Sequence, residues 1–192
     1  MANWASTSYA IEGSKSDLAR VSNVIDSFMK GNTKPVEANA SKEWEGNIVK
    51  ALGASDEQMK NNYLRGFIQT YEIIEGVLYI EAEEAWGATD FRHLLAKLMP
   101  ELTIYYIVEE CGCEVYATND SNSKYFTESY YVDVCIDGNY FSEYFDTEKQ
   151  VLAYMAQLLK KKSVTMKEID EWNEEQDDNE NYIYVHEFKY VA

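Results

Sequence analysis

Apolar residues recur along the chain with two periods, and each switch of period marks an element. In "WASTSYAIEG" Tyr9 and Ile11 share one face of a strand that Gly13 ends. Leu18, Val21, Val24, Ile25 and Phe28 then recur at helical spacing, behind a Ser14/Asp17 cap and ahead of Gly31. "NTKPVEANA" reads as a loop. "SKEWEGNIVKALG" predicts a short helix through Trp44, Ile48 and Leu52, and "SDEQMKNNYLRG" adds a further turn or two. "GFIQTYEIIEGVLYIEAEEAW" predicts two strands joined at Glu75-Gly76, a pair suited to positive φ. Thr89 or Asp90 caps the next helix, whose apolar face is Phe91, Leu94, Leu95 and Leu98, and Pro100 marks its end. "LTIYYIVEE" is the following strand.

That order predicts an α+β fold: a ferredoxin-like split β-α-β sandwich over residues 1–120, with a helical insert near 41–63 and two helices on one face of an antiparallel sheet. Residues 121–192 read as a β-β-α-α-β segment that extends this sheet and packs with it as one domain. Its signals are "SYYVDVCID" and "NYFSEYF" joined at Asp137-Gly138, then a helix from Thr147 with Val151, Leu152, Met155, Leu158 and Leu159 on one face. Lys160, Lys161 and Lys162 oppose that helix's C-terminal dipole. Thr165 and Glu168 form a capping box, with Val164 and Ile169 at the staple positions. The acidic "EEQDDNEN" reads as a solvated helix end and loop, and "YIYVHEFKYV" as an alternating last strand in which His186 packs on a tyrosine face.

Charge narrows the partners. The formal net charge is −17, and residues 101–148 carry 11 acids against one base, Lys124. Such a chain repels phosphate backbones and anionic membrane surfaces, so direct nucleic-acid binding and membrane association are not expected, whereas basic proteins or cations are compatible. The opening residues show neither a basic nor an apolar leader segment, and three cysteines suit a reducing cytoplasm.

Chemistry is sparse. "EECGCEV" reads as a two-residue Cys111-Gly112 turn between strands ending at Glu110 and starting at Cys113. The alternative is a thiol or metal cluster of Cys111, Cys113 and Cys135, which a pairing of strands 113–118 and 130–136 would assemble. Zinc needs four ligands, and beyond the cysteines only His93 and His186 are natural candidates. "DSNSKYFTESYY" begins like a calcium loop, but Tyr125 and Tyr131 stand where glycine and glutamate are required. "RGFIQTYEI" opens like an RNA-binding signature whose aromatic pattern does not continue. "HEFKY" lacks the second histidine of a zinc-protease helix, and no nucleophile elbow, P-loop or dinucleotide fingerprint is present. Glu81, Glu83, Glu84, Glu109, Glu110 and Glu114 are read as a solvated acidic face. No cofactor is called.

Asn3-Trp4, "LRGFI" (64–68), "EEAWG" (83–87), "ELTIYYIVEECGCEVYATND" (101–120) and Tyr125-Phe126 resemble the YubB-type family, ferredoxin-like proteins of plasmids, phages and conjugative elements. The resemblance covers residues 1–126 best and implies the ferredoxin-like fold and a mobile-element context, with no activity attached. Related sequences often place proline where this chain has Cys111, which implies a turn position rather than a ligand. Within these stretches the expected interaction surface is Trp86, Glu109, Glu110, Asn119, Asp120, Tyr125 and Phe126. The leading expectation is a non-enzymatic interaction or accessory protein with a protein partner, and a homodimer through an open sheet edge is compatible with it. Tyr125, Phe126, Tyr130, Tyr131, Tyr140, Phe141, Tyr144 and Phe145 would be partly core and partly contact surface. The rivals are an acidic DNA mimic that occupies a DNA-handling protein, and a thiol- or metal-dependent protein centred on Cys113.

Overall fold

A computed structural model describes residues 3–87, 90–176 and 181–191. The protein is α+β and divides into two compact units, residues 1–120 with 191–192, and residues 121–190. Thr89 and residues 177–180 of the acidic run, on which two expectations fall, lie outside the described residues.

The first unit runs β1 (Trp4–Glu12), α1 (Lys15–Met29), α2 (Glu45–Ala51), α3 (Asp56–Asn61), β2 (Gly66–Ile74), β3 (Val77–Ala85), α4 (Asp90–Leu98), β4 (Thr103–Glu110) and β5 (Val115–Thr118). The strand order is β2-β3-β1-β4-β5, with every neighbouring pair antiparallel. Leu18, Val21, Ile25 and Phe28 of α1 are buried at the spacing the sequence shows, and Ser14 accepts the Asp17 N–H at the helix start. They pack with Tyr9, Ile11, Leu78, Ile80, Phe91, Leu94 and Leu95 in one core. Each such side chain contributes about 1.5–3 kcal/mol by leaving water.

Two devices hold the insert. The buried Asn47 side chain accepts the Val36 N–H at 2.9 Å and donates to the Ser41 carbonyl at 2.8 Å. The Ile68 N–H donates to the Glu43 carbonyl at 2.8 Å, so the insert occupies the start of the β2 edge. Glu75 and Gly76 both have positive φ (50° and 84°), as a two-residue hairpin turn requires.

The second unit contains β6 (Tyr130–Ile136), β7 (Asn139–Phe145), α5 (Glu148–Leu158), α6 (Met166–Glu174), β8 (Tyr182–Glu187) and the two-residue β9 (Lys189–Tyr190). Here the structure differs in part from expectation: of the C-terminal strands read as extending the first sheet, β6, β7 and β8 form a three-stranded sheet of their own in the order β7-β6-β8. The physical reason is that this segment supplies a complete core. Val132, Val134 and Ile183 of the sheet pack with Val151, Met155 and Ile169 of the helices. Capping boxes at Thr147/Gln150 and Thr165/Glu168 start both helices, and Asp137-Gly138 (φ 52° and 72°) turns the hairpin.

Candidate functional site

The Cys111–Cys113 stretch is a single 3-10 turn, not a two-residue hairpin turn. The extra residues are accommodated by Glu114 in the left-handed region (φ 55°), and β5 starts at Val115 rather than Cys113. The Glu110 carboxylate caps the turn by accepting the Gly112 N–H at 2.9 Å. The Cys113 thiol is pushed up from its ordinary value, first by its hydrogen bond to Glu110 and then by burial, so it is held as a thiol rather than a nucleophilic thiolate. Cys135 is fully buried in β6, opposite Tyr140 and Tyr182. Because β5 pairs with β4 and β6 with β7 and β8, the strand pairing that would assemble Cys111, Cys113 and Cys135 is not made. None of the three cysteines is in a disulfide, and among the described residues no group of three His, Cys, Asp or Glu side chains could hold a metal ion.

The seven residues expected to form one surface have different roles. Glu110 and Asp120 are buried, which removes them from any contact surface. Asn119 is a backbone clamp: its side chain accepts the Tyr106 N–H and donates to the Ile104 carbonyl, both at 2.8 Å. Glu109 is half-buried beside the Cys111 thiol at 3.7 Å. Tyr125 and Phe126 are half-buried residues of the second unit.

Trp86 does stand on an exposed patch of the first unit. The Arg65 guanidinium lies over both indoles, 5.6 Å from the Trp4 ring centre and 5.4 Å from that of Trp86. Tyr63 stacks on Trp86 and Phe67 tilts against Trp4. The rings of this patch are thus occupied by a cation from the same unit.

A second constellation lies in the core of the first unit: Glu84, read from sequence as part of a solvated acidic face, is buried there like Glu110, and Glu45 was not singled out from sequence. Leu78, Ile80, Ala82 and Glu84 alternate toward the helices, so Glu84 enters the core at 1% exposure. Its carboxylate accepts hydrogen bonds from Thr7 and Tyr9, both at 2.6 Å. Glu45, at the start of α2, meets the same carboxylate and is also buried. A Cβ on Gly66 would overlap the Glu45 carboxyl group, so the bare backbone at Gly66 makes room for it. Arg92 of α4 approaches with its guanidinium 3.7 Å from the Tyr106 ring centre.

Burial, and next the neighbouring Glu84 charge, pushes Glu45 well above the ordinary carboxyl range. Glu84 is pushed up by burial as well, opposed by its hydroxyl donors and Arg92. Both shifts point the same way, so the pair favours sharing a proton. Sequence gave one signal for this site, a glutamate at a core-facing position of an alternating strand.

The outward face of the second sheet is the third constellation. Register places nine side chains in three rows: Tyr144, Tyr131 and His186; Ser142, Asp133 and Tyr184; Tyr140, Cys135 and Tyr182. Directly opposed residues of antiparallel strands share a face, so five tyrosines and one histidine tile a single surface. Tyr182 stacks on Tyr184 at 4.8 Å, Tyr131 on His186 at 6.1 Å, and Tyr131 tilts against Tyr144 at 5.1 Å. Tyr140, Tyr184 and Tyr144 remain 68%, 52% and 47% exposed. The Tyr182 hydroxyl, pushed up to about 12 by burial and then by Asp133, points to the Asp133 carboxylate at 3.4 Å. Tyr130, Phe141 and Phe145 alternate to the other face and pack on the core.

Comparison with protein-family models, curated proteins and solved structures finds no match to the chain. Fold and surfaces define a two-unit α+β protein, and among the described residues no helix is long and apolar enough to cross a membrane.

Proposed function

We propose that this chain is a non-enzymatic interaction module, an accessory protein of the kind its YubB-like stretches suggest, working in the bacterial cytoplasm on a protein partner. The first unit is read as ferredoxin-like. The support is its β-α-β-β-α-β order, with the insert after α1 and the strand order β2-β3-β1-β4. One observation carries the functional reading: the outward face of the second sheet exposes tyrosines at positions where alternation would ordinarily place polar side chains. Tyrosine combines a large contact area with a polar tip and loses little rotamer freedom, which favours it at protein interfaces.

The test is retention of partners from a lysate by the purified wild-type chain and by a Tyr140→Ser/Tyr184→Ser variant, with mass spectrometry at low and high salt. The reading expects a partner that the wild type retains and the variant loses. Identical retention by both would contradict it. Retention of a DNA-handling protein that ignores the tyrosines and disappears at high salt would instead favour the acidic mimic, which the net charge of −17 motivates.

A further inference from the structure

Resting on that interaction reading, we infer that the occupant of the tyrosine face is an extended polypeptide segment carrying arginine or lysine, its cations lying over the exposed rings and facing Asp133. The surface has the composition for this. Five of its nine positions are tyrosine, the central one is aspartate, and none is Lys or Arg. A cation over a tyrosine ring is attracted by the negative face of the ring, and more strongly where water is excluded.

Geometry selects an extended segment. Same-face residues of a strand repeat at about 6.8 Å, and side chains of an extended peptide laid along the strands repeat at the same distance. A cation at every second residue therefore meets successive rows, with Asp133 between the Tyr144 row and the Tyr140 row.

Charge selects the cation. The segment holding β6 and β7 belongs to the 101–148 stretch, with 11 acids and one base, and the whole chain carries −17. A phosphate-bearing strand could also stack on aromatic rings, but it would bring like charge to a surface that offers it no Lys or Arg. The molecule itself shows the preferred contact. Arg65 lies over Trp4 and Trp86, and Lys124 lies 5.2 Å from the centre of the Tyr125 ring.

The experiment is fluorescence anisotropy with a labelled peptide of alternating arginine and serine, against the same peptide with glutamine in place of arginine. The full chain is used as wild type, as Tyr140→Ser/Tyr184→Ser, as Tyr140→Phe/Tyr184→Phe and as Asp133→Asn. We expect the arginine peptide to bind the wild type, to lose about tenfold in affinity on the serine variant and to keep its affinity on the phenylalanine variant, which retains the rings. Asp133→Asn should weaken binding about threefold and flatten its salt dependence. Equal binding to wild type and serine variant would overturn the inference, since diffuse acidity would then account for the attraction. No preference for arginine over glutamine would overturn it as well. If the lysate partner is still lost on the serine variant in that case, the interaction reading survives and only the cationic occupant fails. Preferential binding of a neutral glycan to the same rings would also overturn the cationic assignment. Folding of each variant is checked by circular dichroism, and the phenylalanine variant separates loss of rings from loss of structure.

Discussion

The two exposed aromatic surfaces of this protein differ in one respect. In the first unit Trp4, Tyr63, Phe67 and Trp86 surround Arg65, so the patch supplies its own cation. In the second, five tyrosines and a histidine surround Asp133, and none of the nine positions is basic. The interiors contrast as well. The first unit buries charge in its core as the Glu45–Glu84–Arg92 cluster, whereas the second core is built of Val132, Val134, Val151, Met155, Ile169 and Ile183. An exposed ring is not by itself a binding site: one that already carries a cation contributes to its own unit, and one that faces a carboxylate favours a cation from elsewhere.

The contrast can be broken at several points. The largest effect is expected from Glu84→Ala. It removes the acceptor of the buried Thr7 and Tyr9 hydroxyls and leaves both donors unsatisfied, at about 2–6 kcal/mol. Urea unfolding followed by tryptophan emission measures this, and a loss below about 1 kcal/mol would contradict the assignment. Met155→Ala hollows the second core and should cost about 2–5 kcal/mol. If the two units unfold independently, its transition moves while that of the first unit stays in place.

The pH dependence separates the units further. Both carboxyls of the pair have folded-state values raised above the ordinary 4.5. A raised carboxyl favours the protonated form in the fold, so its stabilising contribution is complete below that value and is lost as pH rises through the folded-state value. The first unit should therefore weaken as pH rises above the ordinary carboxyl range, and Glu45→Gln should flatten that decline. Thermal melts across this range decide it: a wild-type curve as flat as that of the variant would show that no proton is shared.

Arg65→Ala should have the smallest effect, about 0.5–1 kcal/mol in stability, read by chemical denaturation. It also sharpens the comparison. With its own cation removed, the Trp4–Trp86 patch should begin to bind the arginine peptide weakly, visible as a change in indole emission.

Much of the local structure was legible in the sequence, because caps and alternation are local signals. Ser14, Thr147 and Thr165 begin their helices, Glu75-Gly76 and Asp137-Gly138 turn their hairpins, and His186 lies on the tyrosine face. Long-range pairing was not legible. Placing β8 beside β6 joins residues about fifty positions apart, and nothing in "SYYVDVCID" states whether it extends one sheet or founds another. The Cys111–Cys113 turn was misread because the connection holds four residues, 111–114, rather than two: a 3-10 turn closed by Glu114 in the left-handed conformation. The Glu45–Glu84 pair was missed because acids are so common here. Glu83 faces water and Glu84 faces the core, and only the register of β3 tells them apart.

The most direct test of the account is a nuclear magnetic resonance titration of the ring-labelled chain with the arginine–serine peptide. The account predicts shifts at the Tyr140, Tyr144 and Tyr184 rings, while the Trp4 and Trp86 indoles, already covered by Arg65, stay in place. Shifts confined to the indoles, or none at the three tyrosines while the peptide binds, would contradict it.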